Sequence, residues 1–446
     1  MQAAGGAVTA VAIPAETTPR KGKPHVLIIP SEEFLPPENH LSGIFQLHQA
    51  SALSAAGFRV GTLSIRQTLS ILMILRAGAY RLAGRKPGNS LDGRPVLDLA
   101  SLLAKKLTRP KSFVTYDHVA DLPVVRVEGF YLFPPSRFTD HLGWVRAGVA
   151  AFEEYCDRCG RPDLLHAHNL NPAGLLGHRI SRRYNIPFVL TEHSTFYGRG
   201  LVPRSLFSSL RRAADAASGL AVVSPALGTV LQNQLNLNAD SMRWIPNVID
   251  PDVASMPVTR ESSSDDGFTF LCIGNLIPVK NHAVLLKAFQ TAFHGQKGMR
   301  LRIGGDGPLE LDLKVLAAEL KIAPQIQFLG RLSREQVVQE LDRCNAFVLP
   351  SSYETFGVVL IEALVRGKPV IATRCGGPES FVGEEDGIIV PPDGVTELAT
   401  ALRTMSRQAA SYDSDTLRQR ALARFGAQKL VQNLENFYFQ AMRTNA

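Results

Sequence analysis

Two glutamates stand eight positions apart in the run Ser351, Ser352, Tyr353, Glu354, Thr355, Phe356, Gly357, Val358, Val359, Leu360, Ile361, Glu362, Ala363. On a helix this spacing is a little over two turns, so such carboxylates can face one ligand. Thr355, Phe356 and Gly357, however, read as a turn that opens the helix carrying Glu362. Free N–H groups at a helix N-terminus form an anion site. The run therefore offers a carboxylate for hydroxyl groups, amides for phosphate or sugar oxygens, and a second carboxylate one ligand length away. A nucleotide-activated sugar suits that set of groups.

The elements that must position these groups alternate. An apolar run at 25–30 reads as a buried first strand, a helix is expected over 44–56 after Gly43, and a strand follows at 59–63. Similar units recur: strands at 164–168, 188–191 and 219–223, with helices at 173–184 and 205–217. The polar, small-residue stretch 258–267 reads as a linker, after which the pattern restarts. Beyond it strands are expected at 268–273, 300–303, 326–329, 346–349 and 369–372, with helices at 283–293, 309–320 and 334–343. Strand and helix in alternation mean parallel sheets covered on both faces, and ligands bind beyond the carboxyl ends of such strands. The expected fold is α/β, with two doubly wound domains facing across a cleft. The boundaries are a disordered lead-in at 1–23, a first domain at 24–252, a linker at 253–267, a second domain at 268–425 and a final helix at 426–446.

The chain of 446 residues is longer than one hydrophobic core usually serves. Its formal charge of +8 is concentrated between 61 and 120, where ten basic residues, Arg66 to Lys111, face three acidic ones, Asp92, Asp98 and Asp117. That bias points to an anionic partner. An insert at 64–114 breaks the alternation, and its stretch 65–82 reads either as an amphipathic helix on an anionic membrane surface or as a lid. Five cysteines argue for a reducing compartment, and the CxxC of Cys156 and Cys159 lacks the second pair a zinc site needs. The lead-in lacks the regions of a signal peptide. Few aromatics interleave the basic stretch, so nucleic acid is not expected as a partner.

Five motifs taken in order resemble the retaining glycosyltransferases of the GT-B fold grouped as family four. They are 165–168 with 191–193, 245–250, 274–280, 304–308, and 354–362 followed by 376–379. The resemblance implies that Glu354 binds donor-sugar hydroxyls, that the amides of Phe356, Gly357 and Val358 contact sugar and diphosphate, and that Glu362 accepts from the ribose hydroxyls. Lys280 would hold the diphosphate leaving group, His168 would reach the donor from the first domain, and Gly43 would let backbone approach phosphate. The family commonly has arginine after the glycine at 274, whereas this chain has Asn275. Either Lys280 then suffices for the diphosphate, or Arg331 or Arg374 substitutes.

The resemblance implies transfer of a sugar from a nucleoside diphosphate donor to an acceptor hydroxyl with retention, in cell-surface polysaccharide or glycolipid assembly. The donor is a substrate, and no cofactor or essential metal is expected; Asp413-Ser414-Asp415 lies in a polar surface segment. A lipid-linked or saccharide acceptor, and a cytoplasmic location with peripheral contact to the inner membrane face, complete the expectation. A nucleotide-sugar epimerase on the same fold and an inactive nucleotide-sugar-binding scaffold are the competing readings.

Overall fold

The computed structural model describes residues 22–35, 43–70, 101–102, 104–105, 108–131, 140–258 and 267–444. The expected lead-in, all but its last two residues, the core of the expected linker at 259–266 and most of the insert lie outside them.

In the first sheet β1 (His25–Ile29) lies between β2 (Arg59–Ser70) and β5 (Leu164–His168). Beyond β5 come β6 (Phe188–Glu192), β7 (Gly219–Val222) and β8 (Met242–Trp244); beyond β2 come β4 (Leu122–Tyr131) and β3 (Val114–Val119). All are parallel except β3, which runs antiparallel to β4. Every residue of β1, β5 and β6 is buried, as a parallel sheet covered by helices on both faces requires. The helices that matter for the site are α1 (Ile44–Ala55), α2 (Asp140–Cys159), α3 (Leu175–Tyr184) and α4 (Phe207–Asp215).

The second sheet is parallel throughout, in the order β11 (Ile326–Gly330), β10 (Met299–Gly304), β9 (Phe268–Ile273), β12 (Ala346–Leu349), β13 (Val370–Thr373), β14 (Gly387–Val390). Its functional helices are α5 (His282–Phe293), α6 (Arg334–Arg343) and α7 (Val358–Val365). The last helix, α8 (Ala427–Thr444), leaves this sheet and packs Leu430, Leu434, Phe437 and Tyr438 against Val26, Ile28 and Leu53 of the first.

Two features depart from the sequence reading. The expected helix at 65–82 does not begin at Ile65, because β2 continues to Ser70 with Ile65 buried opposite Val127 of β4. Residues 71–82 of that segment lie outside the described residues. The β3–β4 hairpin turns on Ala120 and Asp121, both at positive φ (48° and 63°). This is the backbone of a two-residue hairpin turn usually announced by Asn-Gly, so Ala-Asp gave no signal. Cys156 and Cys159 are free thiols on the buried face of α2, packed into the core.

One buried cation ties the two halves together. Arg366, 1% exposed, forks onto Asp342 at 2.8 and 2.6 Å and donates to the carbonyls of Val253, Met256 and Pro257 at 3.2, 2.7 and 2.9 Å. Those carbonyls belong to the chain as it leaves the first sheet. Removing one partner of a buried pair leaves the other charge uncompensated, at about 3–5 kcal/mol. Urea denaturation of Arg366→Ala is therefore expected to show a loss of about that size; an unchanged midpoint would contradict this role.

Candidate active site

The carboxyl edges of the two sheets face each other, and the loops leaving those edges line the cleft between them. Glu32, Gly43 and Phe45 from the first sheet's side, and Gly274, Asn275, Asp306, Arg331 and Arg334 from the second, border about 600 Å³. Gly43 caps α1 in a left-handed conformation. Arg331 and not Arg374 borders this space; Arg374 lines a separate hollow with Glu379 and Pro391.

Lys280 ends the loop that follows β9. Its aliphatic stem lies under Gly274, and its ammonium meets Glu354 Oε1 at 2.5 Å. Ser351 Oγ donates to the same oxygen at 2.7 Å. Glu354 is buried and its own backbone is fixed, since its N–H donates to the Cys375 carbonyl at 3.1 Å. A Cβ on Gly377 would stand 2.4 Å from the backbone of Phe356, so only glycine lets the two loops close so tightly.

Gly357 caps α7 at φ 97°, a conformation that side chains resist, and so turns the chain from the Glu354 loop into the helix. The Phe356 ring is buried and packs on Phe381 and Phe425. Only backbone remains to face a ligand there. Glu362 lies within α7, 3% exposed. Burial raises its pKa, and the Arg334 guanidinium, 2.7 Å from Oε1, opposes that rise. The same Arg334 nitrogen donates to Asp250, whose other oxygen lies 3.7 Å from His48 Nε2 of α1. Arg334 thus links the second sheet to the first. Sequence reasoning saw it only as a helix start, because its partners are far away in the chain.

The histidines form a connected line. His166 and His168 share a face of β5 with rings stacked 4.3 Å apart. His166, the deeper, meets Tyr438 Oη of α8 and Thr191 Oγ1, each at 2.7 Å. His168 is fully buried, with Nδ1 2.9 Å from His193 Nε2 and Nε2 3.3 Å from the Gln49 amide. Its ring partner on the next strand end is His193. It is partly exposed, sits 3.0 Å from Asn247 Oδ1, and its carbonyl accepts from Thr355 Oγ1 at 2.9 Å across the cleft. The chain turns after β6, which carries His193 past the strand end where His168 stops. Beside it, fully buried Glu192 accepts from the N–H groups of Leu170, His193 and Ser194. Burial nonetheless pushes its pKa up to about 7.

Two facing parallel sheets with charged loops at their carboxyl edges and a returning C-terminal helix define a GT-B architecture. Comparison with known proteins agrees. The family model "Glycosyltransferase Family 4" matches residues 95–253, and "Glycosyl transferases group 1" matches residues 259–420. The chain is 26% identical to a glycogen synthase of Mycobacterium tuberculosis over 332 residues, 69% of this chain and 79% of that protein. It is 24% identical to the 2-deoxystreptamine glucosyltransferase of Streptomyces kanamyceticus, covering 60% and 75% of the two chains. Among solved structures, sucrose-phosphate synthase of Thermosynechococcus elongatus superposes with TM-score 0.66 at 19% identity, over 94% of this chain and 100% of that one. Anabaena HepE in complex with UDP superposes with TM-score 0.64 at 17% identity, over 93% and 99%. The chain belongs to the family-four glycosyltransferases of the GT-B fold.

The site has a pH signature in stability. Burial lowers the pKa of His166 to about 3 and of His193 and His282 to about 4, and holds His168 well below its usual value. Between pH 4 and the ordinary value of 6.5 the unfolded chain binds more protons at these positions, so stability falls as pH drops through that window. Glu192, Glu32 and Glu362, with raised pKa values, act in the opposite direction, gaining stability as pH falls toward 4.5. Four histidines act in the first direction and three carboxyls in the second. The urea midpoint is expected to be lower at pH 4.5 than at 6.5; an equal or higher value at pH 4.5 would contradict the histidine assignment.

Proposed function

We propose that the enzyme transfers a sugar from a nucleoside diphosphate donor to an acceptor hydroxyl with retention of configuration, in the assembly of a polysaccharide or glycolipid. The observation that carries the reading is the pairing in the cleft: Lys280 with Glu354, and Arg334 with Glu362. Each pair is a cation and a carboxylate that a nucleotide sugar can separate. Phosphate offers anions to the cations, while sugar and ribose offer paired hydroxyl donors to the carboxylates.

In this reading Glu354 takes the donor-sugar hydroxyls and Glu362 the ribose hydroxyls, while Lys280 faces the diphosphate. Arg331 brings to the cleft the charge that Asn275 lacks. The amides of Phe356, Gly357 and Val358 open α7 toward the sugar and phosphate, where aligned N–H groups favour an anion. His168 reaches toward the donor from the first domain, with His193 as its hydrogen-bond partner.

The acceptor approaches from the first sheet, where a hollow of about 550 Å³ is lined by Ser31, Glu33, Arg66, Trp144, Asn171 and Phe196 among others. As the bond between sugar and phosphate oxygen breaks, the acceptor oxygen bonds to the anomeric carbon on the same face, and its proton passes to the departing phosphate oxygen. The carboxylate nearest the donor loop is held by Lys280 and Ser351, which favours electrostatic stabilisation of the leaving group over attack by a protein nucleophile. The glycogen synthase among the relatives supports a saccharide product.

The reading is tested by the anomeric configuration of the product, followed by NMR, and by Glu354→Gln. An α-linked donor is expected to give an α-linked product. Glu354→Gln is expected to lower turnover at least about a hundredfold, the scale of losing one preorganised polar contact, with an unchanged circular dichroism spectrum. An inverted product, or turnover equal to the wild type, would overturn the assignment.

A further inference from the structure

The hollow assigned to the acceptor is not isolated. It shares His141 with a second cavity of about 520 Å³, farther along the groove between α2, α3 and α4. Arg179, Arg182 and Arg183 of α3 and Arg212 of α4 converge on that cavity with His178, and among the described residues no carboxylate lines it. Arg183 reaches Glu153 at 3.2 Å, and Arg212 donates to the Ser208 carbonyl and the Ser209 hydroxyl at 3.3 and 3.4 Å. Arg179 and Arg182 have no hydrogen-bond or ion-pair partner among the described residues.

Solvated arginines on a helix surface need no ligand. Four that line one concavity repel each other, and a concave wall focuses their field. The effect reaches His178, whose pKa is lowered by burial and then by Arg182 and Arg212. Planar guanidinium forks match phosphate oxygens bidentately, which makes phosphate the natural anion here.

The hollow on the other side of His141 has the complementary deficit. Asn171 Oδ1, an acceptor, is buried there without a hydrogen-bond partner among the described residues. A hydroxyl group would satisfy it. Asn171 precedes α3 and Arg182 lies near its end, so the two subsites are on the order of 15 Å apart at the helical rise per residue. That span suits a small saccharide.

Taking the transfer reading as given, we propose that the acceptor is a saccharide carrying a phosphate or diphosphate: its sugar hydroxyls meet Asn171 in the hollow, and its phosphate sits among the arginines past His141. The shared chemistry is the phosphate group, whether the acceptor is free in solution or attached to a lipid.

The test is calorimetric titration with inorganic pyrophosphate, after the donor cleft of the full chain has been saturated with a nucleoside diphosphate. Wild-type protein is expected to bind pyrophosphate at a second site. The double variant Arg179→Ala/Arg182→Ala, which removes two exposed side chains, is expected to weaken that binding about tenfold or more, as the loss of charge-assisted hydrogen bonds predicts, with nucleotide affinity unchanged. The His178 pKa, followed by NMR, is expected to rise on pyrophosphate binding in the wild type alone. Pyrophosphate that only competes with nucleotide, or that binds the variant equally, would overturn the inference. So would arginine-dependent binding to vesicles containing phosphatidylglycerol with no uptake of pyrophosphate, which would assign the arginines to a membrane surface. If phosphorylated sugars and lipid-linked sugar diphosphates both serve as acceptors, the free and lipid-borne sources are separated by their relative kcat/KM. Failure of every nucleoside diphosphate to bind the wild type would instead strike the transfer reading, a result distinct from loss of the arginine site.

Discussion

A carboxylate buried at the cleft must be compensated at all times, and this constraint organises the site. Glu354 and Glu362 are 7% and 3% exposed, and an isolated ionised group at that depth would neutralise itself by taking a proton. Each is held instead against a cation, Lys280 or Arg334. The pairs hold each carboxylate and each cation in a fixed place at the cleft. Ligand binding then becomes an exchange of partners between groups already in place, with little reorganisation at the moment of reaction.

The fold supplies that arrangement by converging two sheet edges. Lys280, Arg331, Glu354 and Gly376 all follow strands of the second sheet, while Glu32, His168 and His193 follow or end strands of the first. The halves are joined by more than proximity. Arg334 bridges Glu362 to Asp250, Thr355 bonds to the His193 carbonyl, and Arg366 holds the carbonyls of the crossing segment. On the far side, α8 returns to place Tyr438 against His166, so the histidine line runs from the last helix to the cleft. A change in the relative position of the two sheets would disturb the Arg334–Asp250 and Thr355–His193 contacts together.

Much of this was legible in the chain because it is local. Buried strands such as 25–29, 164–168 and 346–349 announce themselves as short apolar runs, and glycines such as Gly357 mark where a helix must open. The motif residues fall at strand ends because the alternation of elements leaves them nowhere else. What sequence could not show is long-range or atypical. The Arg334 contacts span 84 and 28 positions. The β3–β4 hairpin turns on Ala120-Asp121 without a glycine, and β2 runs on through residues whose mixed pattern resembles an amphipathic helix. The meeting of His168 and His193 depends on how the chain turns after β6, which spacing alone does not encode. Among the described residues no helix is long and apolar enough to cross a membrane.

The central claim is that the cleft cations await a nucleoside diphosphate. Calorimetric titration of ADP, GDP, UDP and their glucose conjugates, in EDTA, into the wild type and Lys280→Met tests it most directly. One base series is expected to bind the wild type without metal, and Lys280→Met is expected to weaken it about tenfold or more, the scale of a lost charge-assisted hydrogen bond. Binding that is absent for all three bases, or equal in the two proteins, would contradict the claim.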